Sequence, residues 1–203
     1  MLNENGREVF FSKPTLELAK DLLGTVLFHY SPDGTVAGRI VETEAYLEND
    51  AASHSFMGQT VRNATMFGPA GYAYVYFIYG VHNCFNVVSS RSGKGEAVLI
   101  RALEPLEGIA LMKKRRGVKM LCELTNGPGK LCIALGISRE HNGSCLRTSP
   151  IRICRDSRFS QKRKPQIVCS KRIGISKAKD LPYRFYFADS TFVSKKNKQK
   201  FFN

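Results

Sequence analysis

The stretch TVLFHYSPDGTVAGRIVETEAY (residues 25–46) predicts two strands joined by a turn. The segments 25–30 and 36–46 are rich in β-branched, aromatic and other apolar residues, which is typical of strands. Between them, SPDGT (31–35) places Pro, Asp and Gly where they favour a turn. We therefore expect an antiparallel hairpin, with two carboxylates, Glu42 and Glu44, near the end of its second strand.

Strands and helices are mixed on both sides of this hairpin. The other strands are expected at 72–80, 84–90, 96–108, 149–156 and 184–190. Helices are expected at 12–24, at 108–117 and, after a Gly-rich loop, within 124–137. Ser12 can cap the first helix and Pro14 fits its first turn. This order predicts an α+β fold with a mostly antiparallel sheet, in one domain that covers residues 1–203.

The segment 47–71 is a long connection that is polar, small and punctuated by Gly and Pro. Connections longer than about 12–15 residues inside a compact domain are usually functional or disordered. His54, Arg62, Asn63 and Phe67 within it favour a functional loop.

The chain is strongly basic, because 31 Lys and Arg residues outnumber 17 Asp and Glu residues and give a net charge of +14. Such a charge raises the local concentration of polyanions, and nucleic acid is the commonest of these partners. A charge that serves only solubility is the alternative. Two stretches are especially basic, 151–172 and the tail 194–203, and the tail is more typical of a solvated terminus.

The six cysteines show no C-x-x-C pair and no nearby histidine at zinc-finger spacing. The opening MLNENGREVFF (1–11) lacks the apolar segment of a secretory signal. We therefore expect reduced thiols in a cytosolic type of protein. No apolar run approaches the ~20 residues that span a bilayer, so no membrane partner is expected.

The acids at the end of the second hairpin strand are candidates for proton transfer. In a strand, Glu42 and Glu44 share one face with Ile40 and Tyr46. Burial or an apolar wall would raise the pKa of such an acid and suit it to acid–base chemistry. A salt-bridged surface strand is the alternative, and the spacing of the two acids does not separate these interpretations.

Aromatic residues recur through 72–79, and most of them are expected in the core. Tyr79 differs because Gly80 follows it at a predicted hairpin tip. A ring exposed there on a basic protein can wedge between bases or stack on one.

Several longer segments carry a family resemblance through their order and spacing. They are FFSKPTLELAKDLLG (10–24), GRIVETEAY (38–46), AASHS (51–55), VRNATMFG (61–68), YVYFIYGVHNCFNVV (74–88), AVLIRALEPLEG (97–108), LTNGPGKLCIALGI (124–137) and RIGISKAKDLPYRFY (172–186). Together they resemble the alkyladenine (3-methyladenine) DNA glycosylase family, also called the methylpurine glycosylase family, over nearly the whole chain. The resemblance implies excision of alkylated and deaminated purines from DNA. It also implies a curved antiparallel sheet in one compact α+β domain, and no metal or organic cofactor.

The resemblance also implies roles for individual residues. Glu44 would be the general base that activates a water, and Arg101 would hold that water and steady Glu44. The backbone carbonyl of Ile173 would be the third contact of the water, although many relatives have Gly-Pro before this element. The damaged base would lie among four side chains: Tyr46, His54, Tyr76 and Asn86.

Contacts with DNA are expected from three further residues. Tyr79 would intercalate and fill the gap that the extruded nucleotide leaves. Arg62 and Lys130 are candidates for phosphate contacts, the latter in the Gly-rich NGPGK (126–130).

The implied reaction sets further expectations. Arg101 beside Glu44 is expected to lower the pKa of Glu44 and keep it ionised at pH 7. No lysine is implied as a nucleophile, so the enzyme is expected to be monofunctional and to leave an abasic site. Its partner would be double-stranded DNA with damaged purines. The protein is expected to be a monomer, cytoplasmic at the nucleoid in a bacterium or nuclear in a eukaryote.

Two other functions remain open from the residues alone. One is a nucleic-acid-binding protein that has the same fold but no catalysis. The other is a hydrolase of other glycosidic bonds that uses Glu42 and Glu44 as a pair. The net charge and Tyr79 argue against the second of these.

Overall fold

The computed structural model describes residues 10–78, 80–156 and 165–195. Its first two strands, β1 (Thr25–Ser31) and β2 (Gly34–Tyr46), confirm the predicted hairpin. They pair antiparallel, with Val26 opposite Arg39 and Ser31 opposite Gly34 at the turn.

All ladders among the described strands are antiparallel. The other strands are β3 (Ala73–Ile78), β4 (His82–Val88), β5 (Ala97–Glu107), β6 (Ile151–Arg155), β7 (Ile167–Ser170) and β8 (Arg184–Phe187). The helices that lie wholly within the described residues are α1 (Thr15–Asp21), α2 (Ile109–Arg116) and α3 (Pro128–Leu135). The strand order is β3-β4-β5-β2-β1-β6, with β8 beside β2 and β7 beside β8. The predicted α+β fold with a curved antiparallel sheet is therefore confirmed.

The long strand β2 has different partners along one of its edges. One edge pairs with β5 along its length, whereas the other pairs first with β1 and then, at residues 42–44, with β8. The ladder to β5 is irregular between Ile40 and Thr43. This change of partner brings β8, at the far end of the chain, against Glu42 and Glu44.

One face of the sheet packs into the main apolar core, and part of the other lines a cavity. Val98 and Ile100 of β5 join the main apolar core, to which α1, α2 and α3 contribute buried residues such as Leu18, Met112 and Leu131. Leu99 and Arg101 alternate with them and line a cavity instead. A smaller apolar cluster at that cavity has Met66, Tyr74, Val88 and Ala97 as its buried members.

Two details differ from the sequence predictions. The first helix begins at Thr15 with Pro14 as its N-cap, so Ser12 does not cap it. Pro14 has extended backbone, and its carbonyl accepts from the N–H groups of Glu17 and Leu18. Strand β7 was not predicted, because a four-residue edge strand with exposed positions carries too short a pattern.

The thiols match the expectation of a reduced protein. All six cysteines lie in the described residues and are free. Among the helices of the described part of the chain, none has the length and apolar character needed to cross a membrane.

Gly108, between β5 and α2, tests how tightly this junction is packed. It has φ +70°, and a Cβ there would lie 2.4 Å from the Thr35 carbonyl oxygen and 2.6 Å from Val36 Cγ1. Gly117 has a similar φ of +64°, but a Cβ there would meet nothing within 4 Å. The left-handed backbone costs about 1–2 kcal/mol for an alanine at either position. We expect Gly108→Ala to lower the free energy of unfolding in urea by clearly more than Gly117→Ala does. Equal losses would contradict the packing of this junction.

Candidate active site

A cavity of about 290 Å³ opens at the end of β2, between the cavity face of β3, β4 and β5 and the first turn of α3. Aromatic and apolar side chains make up most of its wall, together with a few polar groups. The lining residues are Tyr46, Ala52, His54, Met66, Tyr74, Tyr76, Ile78, His82, Cys84, Asn86, Leu99, Arg101, Pro128, Gly129 and Ile173–Ile175. Pockets of this composition commonly bind small organic groups.

Glu44 lies directly behind this wall and is fully buried. Its Oε2 accepts from the Tyr46 hydroxyl at 2.9 Å and from Arg101 Nη1 at 3.2 Å. Its Oε1 accepts from the Ile173 amide at 2.8 Å. Each of these three donors belongs to a residue that lines the cavity. A carboxylate has about four acceptor positions, so Oε1 retains capacity for a water at the cavity wall.

The pKa of Glu44 differs from the sequence expectation. Burial raises it above the ordinary value of a glutamate, and Arg101, the Ile173 amide and the Tyr46 hydroxyl oppose that rise without cancelling it. The lowering expected from Arg101 is present, but burial outweighs it, so the net shift of the pKa is upward. The reason is that the carboxylate is desolvated, which penalises the charged form before any partner acts.

Glu42 has a different environment, although it lies on the same strand. It is fully buried and pairs with Arg184 Nε at 2.6 Å, with Arg101 Nε at a longer 3.4 Å. Ser194 donates to it twice, from its amide at 2.6 Å and its hydroxyl at 2.8 Å. Arg184 and Ser194, which hold Glu42, are not among the residues that line the cavity, whereas all three donors of Glu44 are. The arrangement argues against Glu42 and Glu44 as a pair of glycosidase carboxylates.

His54, Tyr74 and Tyr76 form one aromatic wall of the cavity. The His54 ring lies 4.4 Å from Tyr76 between centroids, and its Nδ1 is 2.9 Å from the Tyr74 hydroxyl. Desolvation and the nearby charge of Arg62 lower the pKa of His54, so the ring is neutral at pH 7. Tyr74 was not predicted as a site residue, but it shares a strand face with Tyr76, and that spacing could have indicated it.

Two asparagines fix the wall. Asn86 is buried, and its amide nitrogen donates to the Tyr74 carbonyl at 2.9 Å across the β3–β4 ladder. Asn63 donates to the His54 carbonyl at 2.8 Å and to the Gly58 carbonyl at 3.1 Å. The long loop is thus held in a defined conformation around His54, as a functional loop requires.

The rim of the cavity carries both phosphate-contact candidates. Arg62 is exposed and donates to the Phe77 carbonyl at 3.1 Å, beside the β3–β4 turn. Lys130 is exposed on the first turn of α3 and donates to Asn126 Oδ1 at 2.8 Å. Tyr79 lies outside the described residues, and Gly80 next to it has φ +69° in the turn.

Sequence reasoning missed several residues of the site. His82 and Cys84 line the cavity from β4, and Tyr76 forms a side-chain hydrogen bond with Cys84. Arg172 and Asp50 form a buried ion pair behind Tyr46. The adjacency of Arg172 to Ile173 in the RIGI segment was the one signal available for it.

Comparison with known proteins agrees with this geometry. A family model described as methylpurine-DNA glycosylase matches residues 9–191. A protein of Methanoculleus marisnigri named as a 3-methyladenine DNA glycosylase is 51% identical over 187 residues, which cover 92% of this chain and 97% of the relative. A protein of Carboxydothermus hydrogenoformans with the same name is 48% identical, over 92% of this chain and 97% of the relative. One of Francisella tularensis, also with this name, is 47% identical, over 95% of this chain and 100% of the relative. The chain therefore belongs to the methylpurine-DNA glycosylase family and is an enzyme of the DNA glycosylase class.

Proposed function

We propose that this enzyme flips alkylated or deaminated purines out of duplex DNA and hydrolyses their N-glycosidic bond with an activated water. It leaves an abasic site and does not cut the strand. The observation that carries the proposal is the position of Glu44 directly behind the wall of an aromatic cavity in a basic chain, where the lining residues Arg101 and Ile173 donate to it. We also propose that it acts as a monomer in the compartment that holds the DNA.

The cavity suits an extruded base. Extrusion costs a few kcal/mol, and least at a damaged or mispaired position. Tyr46, Tyr76 and the neutral His54 would recover part of this free energy by stacking on the base. Tyr79, which stands between Ile78 and Gly80 in the sequence, would fill the vacated space in the duplex.

The hydrolytic step uses the Glu44 carboxylate. A water bound to Oε1 would also contact Arg101 and the Ile173 carbonyl, which lie 3.5 Å apart. As the C1′–N bond breaks, its electron pair leaves with the purine and the sugar develops oxocarbenium character. Glu44 opposes that positive charge and takes a proton from the attacking water. A base with a raised pKa has a higher affinity for this proton than an exposed glutamate does.

Asn86 would limit which purines enter. Its amide nitrogen is committed to the Tyr74 carbonyl, so the side chain cannot easily turn away from the cavity. We propose that it excludes the 2-amino group of normal guanine. An alkylated base is also a better leaving group, so the lability of the lesion adds to the discrimination.

Incubation of the protein with duplexes that contain hypoxanthine, ethenoadenine or 3-methyladenine tests the function directly. We expect free base and alkali-labile abasic sites, with strands that stay intact until alkali is added. Tight binding without release of base from any lesion would favour the non-catalytic DNA-binding alternative. Binding to DNA should weaken steeply as salt rises, because lysines and arginines release counterions from the phosphates.

Arg101→Met tests the electrostatics of the site. Arg101 opposes the rise in the pKa of Glu44, so its loss raises that pKa further. Because Glu44 acts as the ionised form, activity is lost as pH falls through its pKa. In a plot of the single-turnover rate of base release against pH, the acidic limb is the part in which the rate falls as the pH falls. We therefore expect this limb to move to higher pH in Arg101→Met. Arg115→Met, which removes an arginine paired with Asp33 away from the cavity, is the control and should leave the limb in place. A limb at the wild-type pH in Arg101→Met would contradict this coupling.

A further inference from the structure

Arg172 forms a buried contact set that the reaction described above does not use. Its side chain has no exposed area, and its guanidinium holds both carboxylate oxygens of Asp50. The Nη2–Oδ1 distance is 2.9 Å, and Nη1 also donates to the Ala45 carbonyl at 2.9 Å. This bidentate arrangement fixes the plane of the guanidinium as well as its position.

The same guanidinium lies against two aromatic rings. Its central carbon is 4.6 Å from the ring centroid of Tyr46 and 5.4 Å from that of Tyr183. A cation over a desolvated aromatic face is attracted to it and resists sliding across it. Tyr46 is thereby supported from behind, on the side away from the cavity it lines.

The residues that Arg172 contacts or adjoins are neighbours of Glu44. Ala45 and Tyr46 follow Glu44 along β2, and Ile173 follows Arg172 in the chain. Tyr46 and Ile173 provide two of the three hydrogen bonds that Glu44 accepts. The Ile173 carbonyl also faces Arg101, which provides the third.

We propose that Arg172, locked by Asp50, is a positioning residue that holds the Tyr46 hydroxyl and the Ile173 amide on Glu44. This inference rests on the proposed function, since it concerns the same carboxylate. A buried ion pair is weak evidence for a gain in stability, because desolvation offsets much of the attraction. Geometric restraint explains the pair better, because one guanidinium ties together β2, the loop after it and the segment at 172–175.

The test combines two substitutions with a matched control. Asp50→Asn removes the charge that holds the Arg172 guanidinium but hardly changes the size of the side chain. Arg172→Lys keeps the positive charge but cannot reproduce the bidentate and stacked contacts. Arg39→Gln is the control, because Arg39 forms a largely buried ion pair with Glu104 and Asp156 away from the cavity. Thermal unfolding of each variant shows which of them remain folded at the assay temperature.

Two readouts are measured for each variant: the pH profile of single-turnover base release, and the pKa of Glu44 in the free protein by carboxyl NMR. The groups that face Glu44 are Arg101 from β5, Tyr46 and Glu42 from β2, Cys84 from β4 and the Ile173 amide. We expect both Arg172→Lys and Asp50→Asn to raise the pKa of Glu44 and move the acidic limb to higher pH. We expect the rate above the limb to fall about tenfold to a hundredfold, as misplaced catalytic groups do.

Failure of the positioning role can be distinguished from failure of the proposed function. If Arg172 had a purely structural role, the substitutions would reduce the amount of folded enzyme. The rate would then fall by the same factor at every pH, and the acidic limb would stay at the wild-type pH, as we expect for Arg39→Gln. An unchanged pKa of Glu44 in folded Arg172→Lys and Asp50→Asn would overturn the positioning role. If the wild type releases no base, the proposed function fails, but the NMR measurement still decides whether Arg172 positions the donors of Glu44.

Discussion

Replacing Glu44 by glutamine is expected to abolish most base release while leaving the binding of lesion-containing duplex intact. Glutamine has nearly the same shape, but it cannot take a proton from water or oppose the developing charge on the sugar. General acid–base groups contribute typically about 10²–10⁴-fold, and we expect a loss in this range in single-turnover assays. Binding should persist, because in the proposed complex lysines and arginines hold the phosphates and aromatic side chains hold the base.

Glu107→Gln is the matched control for this substitution. Glu107 ends β5 at an exposed position, so its replacement changes the net charge equally without reaching the cavity. We expect its rate to equal that of the wild type. Release of base by folded Glu44→Gln at the wild-type rate would show that Glu44 is not the base.

Arg184→Met is expected to destabilise the protein more than other single changes outside the core. Arg184 is fully buried, and it pairs with Glu42 at 2.6 Å and donates to Ser170 Oγ at 3.1 Å and to the Lys195 carbonyl. Among the residues that the structure describes, its removal leaves the buried Glu42 with only the more distant Arg101 as a charged partner. Breaking a buried pair from one side costs about 3–5 kcal/mol, and we expect the free energy of unfolding in urea to fall by that amount.

Asp180→Asn is the control for Arg184→Met, because it breaks an ion pair with Lys171 that is exposed to solvent on both sides. We expect no measurable change in its unfolding. A wild-type unfolding midpoint in Arg184→Met would mean that water or another group satisfies Glu42 in its place.

Local patterns predicted most of the fold. The hairpin at 25–46 and the strand at 97–107 were evident because alternation and turn residues act over only a few positions. The cap of α1 was misplaced, since both Ser12 and Pro14 suit the start of a helix and only the backbone conformation decides between them. The short edge strand β7 left no pattern long enough to detect.

Some residues of the site were predicted from the sequence, whereas others were not. Glu44, Arg101, Ile173 and the aromatic wall came from the resemblance, and the structure brings them together at one cavity. The role of Tyr79 stays a prediction. Arg172 and Arg184 could not be found from local pattern, because their carboxylate partners are 122 and 142 residues away in the chain. The net direction of the pKa shift of Glu44 could not be decided from the sequence, because a sequence shows the neighbouring charge of Arg101 but not the depth of burial.

The anchoring of Glu42 has a consequence for the order of events during synthesis. Ser194, which donates to Glu42 twice, follows it by 152 residues. At about 5–20 residues per second, a ribosome needs roughly 8–30 s to make that stretch. Until first Arg184 and then Ser194 have been made, the nascent β2 lacks partners that hold Glu42 in the folded protein, and burial of Glu42 without them would be costly. We therefore expect the surroundings of Glu44, the proposed base, to be completed late, and we expect a chain released before residue 194 to be inactive even with every residue of the cavity present.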